Sequence, residues 1–390
     1  MAVSLLAREI SDLCLGKPAL RSLSVSSTIG DALLALKTSD DNFISVWCCE
    51  HSSSSTSSDD DDDVDDCRCV GKICMVDIIC FLCREENLKS PSSALKSPIT
   101  LLLNKSSQGL VKHVDPHSSL QEVIDEIIQG TQNIVVPIKA KHRRKLLSKP
   151  LLGPTHHHKG REYCWLTQED IVRYLLSSIA LFSPIASLSV DSLNIIDDQI
   201  LSVNYHSLAS STIDAIARSL LRQTSVAVVD DDGILIGEIS PFTLSCCDES
   251  VAAAIATLCT GDLMAYIDCG GPPEEIVKLV KERLKERNLG GMIELENFGS
   301  NSNSSSDDEV SATNKKVTKL SRCNSYSSRM MRRAEAIVCH PKSSLVAVMI
   351  QAIAHRVNYV WVIEDDCSLV GIVTFRNILK IFLEHLEFLV

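Results

Sequence analysis

Four stretches of the chain place apolar residues where one face of a helix needs them. Residues 210–221 (SSTIDAIARSLL) put Ile213, Ile216, Ala217, Leu220 and Leu221 at the i, i+3, i+4, i+7 and i+8 positions of a helical stripe. Residues 118–128 do the same with Leu120, Val123, Ile124, Ile127 and Ile128, and residues 343–353 with Leu345, Val348, Met349, Ala352 and Ile353. Residues 26–36 carry Ile29, Ala32, Leu33 and Leu36, with Lys37 breaking the last step. Each stretch opens on a Ser/Ser or Ser/Thr pair, so each helix is expected to start with a hydroxyl accepting from a free first-turn amide.

A short strand-like run precedes each helix, and another follows it: FISVWC (43–48), IVVPI (134–138), SVAVV (225–229) and YVWVI (359–363). After a turn comes a third strand that runs into a second helical pattern. These strand–helix junctions read GKICMVDIICFL (71–82), YCWLTQEDIVRYL (163–175), GEISPFTL (237–244) and GIVTFRNILKIF (371–382). The unit is β-α-β-β-α, written four times, and repetition at such a period points to a stacked repeat architecture. The first two copies are longer, and the excess falls at the hairpin turn, where insertion is best tolerated. Between copies three and four, residues 271–291 read as an extra helix with Pro at its start and Gly at its end. Residues 299–316 are polar and read as disordered.

Composition changes this picture only in part. The 390 residues are 45% hydrophobic and 23% charged, an ordinary globular balance, with only 4% aromatics. The net charge of −12 is concentrated in loops: DDDDDVDD (59–66) and DDE (307–309) face basic runs at 139–145 and 315–322. No basic face interleaved with aromatics suggests nucleic-acid binding. The 16 cysteines follow no secretory signal, and the longest apolar stretch, Val251 to Ile267, contains Asp262 and is too short to span a bilayer. The expectation is a soluble cytoplasmic protein with reduced thiols, with the nucleus a second compartment.

Four such units, each with a junction resembling Gly-hydrophobic-hydrophobic-Ser/Thr-x-x-Asp, resemble the CBS-domain family, named after the regulatory region of cystathionine β-synthase. The resemblance implies an α+β fold of four β-α-β-β-α CBS repeats paired into two tandem Bateman modules. The repeats are expected at 18–86, 108–178, 199–258 and 334–388, with flexible insertions at 51–66, 139–160 and 299–329. With the connector at 181–203, the chain is similar to the γ/SNF4-like subunits of AMP-activated kinases and to plant proteins made only of CBS domains.

Read from the residues alone, each junction is a helix cap, a Ser/Thr answered three residues later by an acid or amide. A helix start with free amides also attracts phosphate. The resemblance implies that the Ser/Thr contacts the ribose or phosphate of an adenosine nucleotide and that the Asp holds ribose hydroxyls. Repeat two has both members, Thr167 and Asp170. Repeat four has Thr374 with Asn377, which keeps an acceptor but loses the charge. Repeat one has Asp77 but Cys74. Repeat three has Ser240 but Thr243, with Pro241 between. The resemblance also implies a phosphate-facing cation before the second strand: Arg222 and Arg356 stand there in repeats three and four, whereas Asp40 or Asp41 and Thr131 stand there in repeats one and two. AMP, ADP, ATP and S-adenosylmethionine are the implied regulatory ligands, with no cofactor required.

Other groupings are weaker. Cys80/Cys83 and Cys67/Cys69 lack a second matching pair for zinc, and Cys on an apolar helix is ordinarily a small buried hydrophobe. The run His156 to His158 sits in a basic loop. No nucleophile–base spacing, Walker loop or HExxH motif is present, so no enzyme is expected. In the loops, Ser325 follows Arg322, and Ser57, Ser58 and Ser305 precede acids, so they are either phosphorylation sites or plain linker serines. The expected function is non-catalytic regulation of a protein partner such as a kinase complex, in a single chain or a homodimer. The alternatives are a structural interaction protein with decayed sites and a thiol-based redox protein.

Overall fold

A computed structural model describes residues 7–39, 41–49, 67–103, 110–138, 161–268, 271–293 and 335–387. The insertions at 51–66, 139–160 and 299–329 lie outside the described residues, and with them His156 to His158, Ser57, Ser58, Ser305 and Ser325.

Four three-stranded sheets form, one per repeat. Repeat one has β1 (Ser22–Ser24), α1 (Ile29–Thr38), β2 (Phe43–Cys49), β3 (Cys67–Cys74) and α2 (Met75–Leu82). Repeat two has β4 (Val111–His113), α3 (Leu120–Gln129), β5 (Asn133–Ile138), β6 (Glu162–Leu166) and α4 (Gln168–Ser177). Repeat three has β7 (Ser202–Asn204), α5 (Ile213–Arg222), β8 (Val226–Val229), β9 (Leu235–Ile239) and α6 (Pro241–Ser245). It is followed by α7 (Val251–Thr257), α8 (Thr260–Ile267) and α9 (Glu274–Glu286). Repeat four has β10 (Val338–Cys339), α10 (Leu345–His355), β11 (Tyr359–Ile363), β12 (Leu369–Thr374) and α11 (Phe375–Glu387). In every sheet the first strand runs parallel to the second across the helix, and the third returns antiparallel.

The predicted caps form in three repeats. Thr28, Ser119 and Ser344 each accept from the amide three residues on, and Asp31 and Glu122 complete reciprocal boxes. Repeat three departs from the expectation. A 3₁₀ turn, Ala209–Thr212, leads into α5, and no side chain caps that helix. Its hydroxyls turn back on the chain: Thr212 donates to the Ala209 carbonyl at 2.6 Å and Ser211 to that of Leu208 at 2.7 Å. The extra helix α9 starts after Pro273 as expected but ends at Arg287, short of the glycines.

A regular irregularity marks the third strands. In repeats one, three and four the ladder shifts register beside a Gly: Val46 faces Gly71, Val228 faces Gly237, and Val362 faces Gly371, and the next pair skips one residue. A Gly in a strand interior commonly accompanies such a bulge. Repeat two has Cys164 in the Gly position, opposite Val136, and its ladder runs without a shift.

The chain divides into two compact units that cut across the repeats. One is built from Met1–Cys74, Ser97–Ile200 and Ile337–Val390. Within it the sheets of repeats one and two share a core of Trp47, Cys67, Cys69, Val135 and Tyr163, and the Cys69 amide donates to His113 Nε2 at 2.9 Å. Helix α11 packs on α3 and α4, and α10 on α4. Phe182 and Phe382 meet edge to face at 4.8 Å. The other unit is built from Met75–Lys96 and Leu201–Ala336. There α2 packs against α5, α6 and the all-buried α7. Arg283 on α9 donates to the Thr257 carbonyl at 2.8 Å, closing the C-terminal end of α7.

Candidate functional site

The four junctions begin from the same sequence pattern and reach different chemistry. At junction three, Ser240 and Thr243 share a 3.0 Å hydroxyl–hydroxyl bond, and the Thr243 amide donates to Ser240 Oγ at 3.0 Å. Both side chains are buried, so this pair is a satisfied cap. At junction one, Cys74 is a buried strand end and Asp77 lies half-buried in the first turn of α2. At junction four, Thr374 and Asn377 cap each other. The Thr374 amide donates to Asn377 Oδ1 at 3.2 Å, the Asn377 amide to Thr374 Oγ1 at 3.2 Å, and the Thr374 hydroxyl to Asn377 Oδ1.

Junction two carries the charge. The Thr167 amide donates to Asp170 Oδ2 at 2.8 Å, its hydroxyl donates to the same oxygen at 2.6 Å, and the Asp170 amide returns a bond to Thr167 Oγ1 at 3.3 Å. A third donor then arrives from far away in the sequence: Lys17 Nζ lies 2.6 Å from Asp170 Oδ2. The side chains are 20% and 27% exposed, too sheltered for an ordinary surface pair yet open to water on one side. All three donors sit on Oδ2. Among the described residues none reaches Oδ1, which leaves an acceptor beside an ammonium at the start of a helix.

Lys17 belongs to a segment before β1 that lies along repeat two. The Ile10 amide donates to Ser118 O at 3.1 Å, that of Ser11 to Pro116 O at 2.9 Å, and that of Leu20 to Tyr163 O at 2.8 Å. Ile10 is fully buried, and His117 Nδ1 meets Glu9 Oε2 at 2.9 Å. The same segment supplies Arg21, whose Nε lies 3.4 Å from Asp41 Oδ2. The sequence pattern found acids where the cations of the first module were expected. The fold brings Arg21 to one of them, Asp41, and brings Lys17 to the junction acid Asp170. The motif search missed both cations, and the only local signal was KPALR immediately before the first strand.

Cys14 lies on this segment too, against Cys164 of β6. A bond from the Cys164 thiol holds Cys14 below the usual thiol range, with Lys17 adding to the effect, and the same bond with burial pushes Cys164 up. Elsewhere burial governs: Cys69, Cys80 and Cys339 are pushed up to about 12, and Cys83 also rises. The CxxC and CxC thiols are packed groups. Cys83 donates to the Ala252 carbonyl at 3.7 Å and Cys69 to that of Gly71 at 3.4 Å.

Arg222 ends α5 and Arg356 follows α10, both exposed, with Arg356 in the left-handed region at φ 54°. Thr131 is buried and bonds Glu126 Oε2 at 3.5 Å. No group of three or more His, Cys, Asp or Glu capable of holding a metal occurs among the described residues, and no described helix is long and apolar enough to cross a membrane.

Comparison with known proteins agrees with this architecture. The CBS domain profile matches residues 328–384, which covers most of repeat four. The chain is 48% identical to the CBS domain-containing protein CBSX5 of Arabidopsis thaliana, over 99% of both chains. It is 17% identical, over 42% of its length and 44% of the other's, to the SNF1-related protein kinase regulatory subunit gamma-like PV42b of the same plant. Among solved structures, protein MJ1225 of Methanocaldococcus jannaschii superposes with a TM-score of 0.54, at 13% identity, covering 96% of this chain and all of that one, which shows a shared fold. A near-half identity along the whole length, on a fold of four β-α-β-β-α units, makes this chain a member of the CBS-domain protein family.

Proposed function

We propose that the protein is a non-catalytic regulator in which an adenosine nucleotide binds at junction two and changes a surface read by a protein partner. The observation that carries the reading is the open Oδ1 of Asp170 beside Lys17 and Thr167, at the N-terminus of α4. An acceptor next to a cation at a helix start suits a ligand with a hydroxyl close to a phosphate, which a nucleoside phosphate has. Thr374 with Asn377 is the second candidate pair, weaker because it is uncharged. Asp77, Ser240, Arg222 and Arg356 complete the ligand set by resemblance. S-adenosylmethionine is the alternative adenosine ligand. A kinase complex is the proposed partner, supported by the likeness to a kinase regulatory subunit, and the cytoplasm is the proposed compartment. Ligand binding would act by favouring one packing of the repeats over another.

A second reading, a structural interaction protein with decayed sites, is favoured by junction three, where two buried hydroxyls satisfy each other. Thermal unfolding separates the two readings. AMP, ADP, ATP and S-adenosylmethionine are added in turn to the wild type, Asp170→Ala and Arg356→Ala. A nucleotide at about 100 times its Kd adds about 2.7 kcal/mol to stability. The sensor reading expects one nucleotide to raise the midpoint of the wild type and not that of Asp170→Ala. No shift with any ligand at millimolar concentration sinks it in favour of the structural reading.

A further inference from the structure

We infer that the N-terminal segment, residues 8–21, is a strap latched by Lys17, and that its docking on repeat two is coupled to what occupies junction two. The inference rests on the nucleotide reading and names the element through which that site reports. Both ends of the segment are fastened. At one end Ile10 is fully buried, the amides of Ile10 and Ser11 donate to carbonyls of repeat two, and the Arg8 carbonyl accepts from the Leu120 amide at 2.9 Å. The Arg8 guanidinium lies 5.7 Å from the centre of the Tyr174 ring, on α4. At the other end the Leu20 amide donates to the Tyr163 carbonyl. Residues 15–19 stand out from the surface between these anchors. Leu15, Gly16, Pro18 and Ala19 are exposed, Leu15 at 80%, and Gly16 turns the chain at φ 81°. Lys17 alone among them turns inward, and its ammonium reaches Asp170 Oδ2 at 2.6 Å. A stretch that buries so little lies at the low end of local stability, so a single ion pair carries a large share of its docking.

The latch keeps bonding capacity on both of its halves. An ammonium has three hydrogens, and among the described residues Asp170 Oδ2 is its one acceptor, while no donor reaches Asp170 Oδ1. A nucleoside phosphate can serve both halves at once, with a ribose hydroxyl on Oδ1 and a phosphate oxygen on the ammonium. Such a ligand bridges α4 and the strap. It therefore binds the docked strap more tightly than the undocked one, and occupancy shifts the strap towards docking. The coupling is reciprocal, so losing the latch weakens the ligand by the same factor. The chemistry also sets a control. Adenosine has the hydroxyls without the oxyanion, so it engages Asp170 on α4 and leaves the strap as it was. The surface that a partner reads is then the strap, with Leu15 at its outermost point.

The test is hydrogen exchange of the full-length protein, followed in peptides from residues 8–21, with AMP, ADP, ATP or adenosine added, alongside calorimetric titration of the same ligands. Wild type is compared with Lys17→Met, which keeps the apolar stem and removes the charge, and with Lys17→Arg, which restores a cation. In the wild type, a nucleotide that binds should slow exchange of the strap by about tenfold, and adenosine should leave it unchanged. In Lys17→Met the strap should exchange faster than in the wild type without any ligand, and nucleotide affinity should fall by about tenfold while that for adenosine holds. Lys17→Arg should recover the nucleotide response, which a merely structural lysine would not require. A nucleotide that binds the wild type but leaves strap exchange unchanged or faster, or that binds Lys17→Met as tightly, overturns the inference and leaves the nucleotide reading standing. Failure of all three nucleotides to bind the wild type is the separate outcome in which the nucleotide reading itself falls, and the coupling with it.

Discussion

Junctions two and four lie in the same unit and are crossed in the same way: each is met by the chain segment that leads into another repeat. At junction four the segment is Ile196–Asp197, and it pairs directly with the third strand. The Asp197 amide donates to Ile372 O and the Ile372 amide to Asp197 O, both at 2.9 Å. That approach needs the bare backbone of Gly371, where a Cβ would stand 2.6 Å from both Asp197 O and the Ile196 side chain. At junction two the segment is Cys14–Leu20, the glycine is Cys164, and the backbone bond goes to Tyr163. One junction is closed by two backbone bonds, the other by one backbone bond and the Lys17–Asp170 ion pair. Backbone closure gives rigidity with no chemistry. The ion pair leaves charge at a helix start and, among the described residues, an acceptor, Asp170 Oδ1, that no donor reaches.

Exchanging the two strand residues breaks this comparison most sharply. Gly371→Cys must push a β-carbon into backbone that cannot fold away, and is expected to cost about 3 kcal/mol. The reverse change, Cys164→Gly, removes a small buried side chain and adds chain entropy, for about 1 kcal/mol. Urea unfolding of both variants measures the difference. Equal losses would mean that the crossing segments approach both strands alike.

The next largest effect is expected at the caps. Asp170→Ala removes an acceptor from the Thr167 amide, the Thr167 hydroxyl and Lys17 together, leaving a sheltered ammonium unpaired. We expect a loss of about 2 kcal/mol, a cap plus part of a charged bond. Asn377→Ala removes a neutral cap alone and should cost about 1 kcal/mol. Added salt should shrink the first loss and leave the second unchanged, because only the first contains an ion pair. A salt-independent loss at Asp170 would reduce Lys17 to a bystander.

The caps were legible in the sequence because they are local: Thr167 with Asp170 and Thr374 with Asn377 are three residues apart and need only a helix to begin between them. The repeats were legible for the same reason, since a period-3.6 stripe followed by apolar strand runs is written into neighbouring residues. The cap of α5 misled because Ser211 and Thr212 have a second local option, bonding back to carbonyls of a 3₁₀ turn, and took it. Lys17 could not be read, because it reaches Asp170 across 153 residues and nothing near either residue encodes the meeting. The same holds for the two units. Helix α2 belongs to repeat one by sequence, but its all-round apolar surface is buried among helices of repeat three, a choice made by tertiary packing.

The smallest expected effect has the opposite sign. Asn377→Asp gives junction four the carboxylate that junction two already has, at the N-terminal end of α11, while keeping an oxygen for the Thr374 and Asn377 cap bonds. A negative charge at a helix start is worth about 0.5 kcal/mol, so this variant should be slightly more stable than wild type. The helix lowers the folded pKa of the new carboxyl below its unfolded value of about 3.9. The gain is therefore present in full above that value and disappears as pH falls through the folded one. Unfolding midpoints at pH 7 and pH 3 should differ from wild type only at the higher pH. A loss at pH 7 would show that Asn377 uses its amide hydrogens as donors, and that junction four differs from junction two in its bonding as well as in its charge.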